Sequence, residues 1–402
     1  MNCPLPSRRI VLGLACLALP ALAVAQTKPP IASYWMSAET TTGMPVGSGG
    51  APSMGDMASM MLGGGMGSSS KSLLLQLGSQ QSASAEPSAD HLLPPAMSMG
   101  SSLPLRTPRK VAPVRGRDEE DTPDKYEKPK GRLLLFWGCG DKAGPGQPYV
   151  LDFAKMAAGQ QWPSGLFTRR VSMQHGPSAS RSRTYGDWPN ETDRTRVPND
   201  SSLRGEHQVK GNYSPDIRFN IDSLDYLAPL DISMSKQGGA MNLRWKSVAN
   251  ATGYFANVMG GSENGNDMVW WVSAASKEFG EVLFSYIAPP EVARLIKDKV
   301  VMSPSTTECT VPKEVMAAAP NAMLRMIAYG EEANFAHPPR PKDPKAAWSP
   351  EWVAKVRVKS TAMQPIMEGE GGSRSSGRAA PQSGEDAAGA AVGNAIKGLF
   401  GF

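Results

Sequence analysis

Histidine is scarce in this chain, with four in 402 residues: His91, His175, His207 and His337. They are scattered through loop-like sequence, so neither a histidine metal cage nor a histidine-centred triad is legible. Cysteine is equally rare, four in all, and no C-x-x-C pair occurs, which excludes a zinc ribbon or finger. No apolar run reaches the roughly 18 residues that a membrane-spanning helix needs. The sequence has no G-x-S-x-G elbow, H-E-x-x-H pair, P-loop or dinucleotide fingerprint. Glu331 and Glu332 are adjacent, so on a strand they face opposite sides and cannot make a glycosidase dyad by themselves. Gly260 to Asp267 offers oxygen ligands without the carboxylate spacing of a calcium loop, and a hairpin connection accounts for it. Charge of one sign is lacking too. The 42 basic and 37 acidic residues give a formal +5, dispersed along the chain, which excludes a nucleic-acid footprint. These absences predict a protein that is not an enzyme and carries no cofactor.

What is there begins with a leader. Residues 1–25 read as a signal peptide: Arg8-Arg9, an apolar core from Ile10 to Leu22, and the small-residue site Ala23-Val24-Ala25, with cleavage after Ala25. A bacterial protein with this start is expected in the periplasm or secreted. Removing Arg8 and Arg9 takes the formal charge from +5 to +3. Removing Cys3 and Cys16 leaves Cys139 and Cys309, which an oxidising compartment is expected to join in one disulfide.

Residues 26–70 follow as a Met/Gly/Ser-rich segment, read as a disordered arm. Thioether sulfur is a soft ligand for Cu(I), so Met54, Met57, Met60 and Met61 define an alternative function, periplasmic copper handling. No histidine interleaves with them, and an adaptable apolar arm is the simpler expectation. Residues 71–105 read as partly extended, with Lys71 to Leu77 as a strand, and 106–131 as a charged linker. A β-rich domain is expected over 132–225. It opens with the continuous apolar run Leu133-Leu134-Leu135-Phe136-Trp137 and includes the alternating Ile217 to Ile221. Trp352 to Lys359 alternates strictly and predicts an added strand within 338–362. Residues 363–402 are low-complexity and end in a short apolar helix. Its Gly389 and Gly393 share one face, and 389–402 would suit peripheral membrane contact.

The most readable stretch runs from Met241 to Ala274. Leu243-Arg244-Trp245, Tyr254 to Met259 and Met268 to Ser273 are three β-rich runs separated by turn chemistry, expected to pair as an antiparallel meander. Leu243, Trp245, Gly253, Tyr254 and Val258 resemble the "L-x-W … G-Y-x-V" strands of fibronectin type III-like modules, and Met323 to Gly330 resembles a later strand of such modules. The resemblance covers roughly residues 226–337 and implies an immunoglobulin-like β-sandwich. The fold class expected is therefore mainly β, with one or two small antiparallel β-sandwich domains between long disordered N- and C-terminal segments. Sandwiches host many roles, so function must come from the site. The long polar stretch from His175 to Leu203 mixes arginine with aromatics, a composition favoured at binding surfaces. Arg181, Arg183, Tyr185 and Trp188 are the binding residues it nominates. Trp270 and Trp271 join them, since neighbours on a strand point to opposite faces and one is expected to be exposed. The function these features imply is binding another envelope protein or a surface polysaccharide.

Overall fold

A computed structural model describes residues 28–43, 69–108, 131–157, 171–343 and 346–366. The expected leader, the four nominated methionines, residues 109–130 of the expected charged linker, and residues 367–402 with the expected terminal helix lie outside the described residues. The protein is mainly β. Numbered in chain order, its largest sheet has nine strands, in the order β6 (Tyr149–Asp152), β5 (Arg132–Trp137), β13 (Asp267–Val272), β12 (Gly253–Gly261), β15 (Ala322–His337), β16 (Trp352–Ile366), β1 (Ala32–Gly43), β2 (Ser69–Ser79) and β7 (Thr184–Trp188). Two smaller sheets lie against it. One is β10 (Ile232–Gln237), β11 (Ala240–Trp245) and β14 (Glu308–Val311); the other is β4 (Ser102–Leu105), β3 (Ala89–Leu92), β8 (Gly205–Gly211) and β9 (Ile217–Ile221). The described residues also hold three short α-helices, α1 (Phe153–Ala157), α2 (Pro289–Lys297) and α3 (Lys313–Ala318), and single 3-10 turns at Pro95–Met97 and Val282–Phe284. None of them is long and apolar enough to cross a membrane.

Several expectations need correction. Ala32–Gly43 is not part of an arm. It is a twelve-residue strand inside the large sheet, because Ala32, Tyr34, Met36 and Ala38 alternate onto the core while Ser33, Ser37 and Glu39 take the other face. The added strand at Trp352 is equally central and continues to Ile366, past the expected start of the tail. It runs antiparallel to β15 over its whole length and parallel to β1 from Trp352 to Met363. A second parallel pair joins β5 to β13, so the sheet is mixed. The three runs of the expected meander do not pair in series. β12 and β13 form a hairpin in the large sheet, but β11 lies in the three-stranded sheet, and the link between them carries the chain from one layer to the other. Trp245 meets Tyr254 edge to face across that gap, with ring centroids 5.6 Å apart. The boundaries at 131 and 225 do not divide the large sheet either. It takes β5, β6 and β7 from one expected domain and β12, β13 and β15 from the next.

The large sheet is covered on both faces, and this explains the continuous apolar runs. On one face the two small sheets enclose a core that includes Tyr34, Leu75, Trp188, Leu243, Trp271 and Val356. On the other, α2 and the turn Val282–Phe284 cover Leu133, Leu135, Phe255, Trp270 and Ile327. Cys139, just after β5, is bonded to Cys309 on β14, with Cα atoms 5.2 Å apart and 170 residues between them. The bond ties the large sheet to the three-stranded one.

A polar chain crosses the interior between β1 and the four-stranded sheet. The Tyr34 hydroxyl lies 2.7 Å from His91 Nδ1, His91 Nε2 lies 2.9 Å from His207 Nδ1, and His207 Nε2 lies 2.7 Å from the Leu203 carbonyl oxygen. The carbonyl can only accept, so His207 Nε2 carries the proton there and neutral His207 Nδ1 must accept. His91 then donates from Nε2 and accepts the Tyr34 O–H at Nδ1. Tyr34, His91 and His207 are fully buried, and every ring nitrogen is satisfied.

Candidate functional site: the polar face of the central strands

Strand alternation sends one set of side chains from β15, β16 and β1 away from the small sheets. From β16 these are Lys355, Arg357, Lys359 and Thr361, and opposite them on β1, by register, stand Trp35, Ser37, Glu39 and Thr41. β15 adds Glu332 and Asn334, paired with Arg357 and Lys355. The segments around Ser172–Gly176 and Ser285–Pro290 border this strip.

Two of the three cations on β16 have carboxylates. Lys355 Nζ is 2.6 Å from Glu332, and Lys359 Nζ is 3.3 Å from Glu39 and donates to the Phe284 carbonyl at 3.0 Å. Glu39 also accepts from the Thr361 hydroxyl at 2.6 Å. Burial pushes the Lys359 ammonium below the ordinary lysine range, against the opposing pull of Glu39. Arg357 is different. Its guanidinium lies against two rings, 4.5 Å from the Trp35 centroid and 4.4 Å from that of Tyr286. Its Nε donates to Ser37 Oγ at 2.7 Å, and it has no carboxylate within salt-bridge distance among the described residues. Burial lowers its pKa.

Beside the strip lies a cleft of about 680 Å³, lined by Ser172, Gln174, the start of α2, Glu332, Asn334 and Lys355. Pro290 and its neighbour Pro289 set the first turn of α2, where their missing N–H groups cost nothing. Glu291, in that turn, accepts from the Ser172 backbone N–H at 2.9 Å and pairs with Arg294 at 2.7 Å. The Arg294 hydrogen bond holds the Glu291 carboxyl below its usual range. The charges at the rim are thus mutually neutralised. The side chains of Ser172, Gln174 and Asn334, one hydroxyl and two amides along the cleft, make no hydrogen bond among the described residues.

The nominated binding residues fall elsewhere. Arg181 and Arg183 are exposed just before β7, Arg181 donating to the Gly176 carbonyl at 3.2 Å. Tyr185 and Trp188 are on β7 and buried, so they give no aromatic surface. The Tyr185 hydroxyl accepts from Gln76 at 3.1 Å, and burial raises its pKa to about 12. Trp270 and Trp271 sit on β13, with five strands between it and β7, at 2% and 0% exposure. They do point to opposite faces, but both faces are interior. Trp270 Nε1 donates to the Glu278 carbonyl and Trp271 Nε1 to that of Gly138. The strip itself escaped sequence reading, although its signal stood in plain view as the cations at 355, 357 and 359, one per alternate position of a strand. No protein-family model matches the chain, and none of the curated proteins is similar to it.

Proposed function

We propose that the protein is an exported bacterial envelope protein that binds a surface polysaccharide without catalysing a reaction on it. The observation that carries this reading is the cleft beside β15 and β16, whose hydroxyl and amide groups stand between neutralised charges. Hydroxyl and amide donors and acceptors in that setting match the alternating donors and acceptors of a polyhydroxylated ligand. The leader at 1–25 and the Cys139–Cys309 bond support export, since disulfides persist in oxidising compartments.

The connectivity supports a finer relation to immunoglobulin-like and fibronectin type III-like modules. In an immunoglobulin sandwich the first, second and fifth strands share one sheet, and the third, sixth and seventh the other. Here β10, β11 and β14 form one sheet, and β12, β15 and β16 lie together in the other with β13 at its side. On this reading the module extends past residue 337 to take in β16. A second sandwich, made of β1, β2 and β7 against the four-stranded sheet, is fused to it through the β16–β1 pair.

The test is calorimetric titration of mature, disulfide-intact protein with polysaccharide prepared from the cell envelope. Saturable binding is expected, weakened roughly tenfold by Gln174→Ala combined with Asn334→Ala, at about 0.5–1.5 kcal/mol per neutral hydrogen bond. A folded protein that shows no saturable binding overturns the reading.

A further inference from the structure

Arg357 is the surplus cation of the strip. Its neighbours on β16 are each matched, Lys355 by Glu332 and Lys359 by Glu39, and the next cation on the face, Arg325 on β15, is matched by Glu281. Charge at the centre of the face therefore sums to one positive unit, located on a half-buried guanidinium. Glu332, its register partner on β15, attracts it from beyond salt-bridge distance but is held by Lys355, and a desolvated cation so weakly matched is costly, because the surroundings that desolvate it also remove water's stabilisation of the charge.

The geometry also determines how that charge can be approached. The rings of Trp35 and Tyr286 both lie against the guanidinium, with centroids 4.5 and 4.4 Å from its carbon. Of the N–H groups around its edge, Nε is taken by Ser37. The two Nη groups remain without a partner among the described residues, and they lie in the plane that a carboxylate meets with two parallel hydrogen bonds. Stacking fixes the fork in advance, so little rotamer freedom is lost when a ligand arrives. Lys355 lies two residues away on the same strand face and lines the cleft, so a polymer seated there passes next to the Arg357 position.

We propose that Arg357, held against Trp35 and Tyr286, is an anion subsite that takes a carboxylate of the bound polysaccharide, making the protein selective for acidic, uronate-type sugars. This rests on the polysaccharide-binding reading above and specifies its ligand. Lys355 and Lys359, each retained by its own carboxylate, set the surrounding potential and do not compete for the ligand.

The test compares trigalacturonate with its fully methyl-esterified form, which has the same sugar chain and no charge, by calorimetry and by thermal shift of the mature protein. The acid is expected to bind about ten- to a hundredfold more tightly than the ester, the range of a charge-assisted hydrogen bond. Arg357→Gln should remove that preference while leaving ester binding in place. Arg357→Lys should remove most of it despite keeping the charge, because an ammonium cannot reproduce the stacked fork. Ester binding by each variant serves as the check that it is folded. Equal binding of acid and ester to the wild type overturns the subsite but leaves polysaccharide binding standing, as does an acid preference that survives in Arg357→Gln. No binding of either sugar, together with no binding of envelope polysaccharide, overturns both.

Discussion

The Tyr34–His91–His207 chain satisfies its hydrogen bonds only while both imidazoles are neutral. Protonating His207 would put a proton on Nδ1, facing the Nε2–H of His91, and protonating His91 would turn its Nδ1 into a donor to the Tyr34 oxygen and leave the buried Tyr34 O–H without its acceptor. Burial pushes the pKa of His91 well below 6.5, with His207 adding to the effect, and burial lowers His207 as well, against the Leu203 hydrogen bond. The unfolded chain takes up protons near 6.5 while the folded chain does not, so stability is retained above that pH and lost as pH falls below it. Each histidine that stays neutral costs about 1.4 kcal/mol per pH unit. For a histidine that stays neutral between pH 6.5 and 5 this comes to about 2 kcal/mol, a large share of the roughly 5–15 kcal/mol a domain possesses. The assay is urea denaturation at pH 7.5, 6.5, 5.5 and 5.0, comparing the wild type with the His91→Gln/His207→Gln protein. Carboxylates are common to both proteins, so the difference in pH slope isolates the pair even if the variant starts from a lower baseline. Nitrogen-15 spectra of the wild type should show both rings as neutral Nε2–H tautomers at pH 6. Equal pH slopes in the two proteins, or protonation of either ring at or above pH 6.5, would refute the reasoning.

Three other outcomes are expected. Reducing Cys139–Cys309 should cost about 5 kcal/mol by loop entropy, since the bond closes 170 residues, and guanidinium midpoints with and without reductant measure it. Gly330→Ala should destabilise by about 1–3 kcal/mol, because its Cβ would stand 2.5 Å from Val358 Cγ2 and 2.6 Å from the Val358 carbonyl oxygen, at an irregularity in the β15–β16 register. Ending the chain after Glu351 should abolish cooperative thermal unfolding, whereas the charged run it removes would hardly matter if it were a solvated appendage. That truncation takes out the strand between β15 and β1, splitting the sheet and leaving each of the two with one unpaired edge.

What could be read from sequence was what depends on neighbours along the chain. Ile217–Ile221 and Trp352–Lys359 alternate and are strands, and Cys139 and Cys309, once the leader is set aside, have only each other. The runs Leu133–Trp137 and Met268–Val272 are strand-length, but periodicity cannot tell a strand covered on one side from one covered on both. The consecutive tryptophans were therefore assigned one exposed face too many. Ala32–Gly43 was lost for a different reason. A window averaging it with the Gly/Ser/Met-rich residues that follow reads as low complexity, and the partner that makes it a central strand arrives more than 300 residues later. Parallel pairing of the first and last described strands leaves no local mark.

The same distance explains why the strip was harder to see than its parts. Lys355, Arg357 and Lys359 on an alternating strand look like an ordinary solvated face, and in isolation that is what such a pattern makes. Whether a cation there is a structural pair or an open recognition group depends on which carboxylate faces it. Glu39 and Glu332 come from opposite neighbours of β16, and their register places one beside Lys359 and the other against Lys355. Only with both in place is Arg357 left without a salt bridge of its own, and with Trp35 and Tyr286 against its guanidinium and Ser37 on Nε, the two Nη groups are the part left without a partner among the described residues. The functional information here is a difference between three similar side chains, and the fold creates it by pairing two of them.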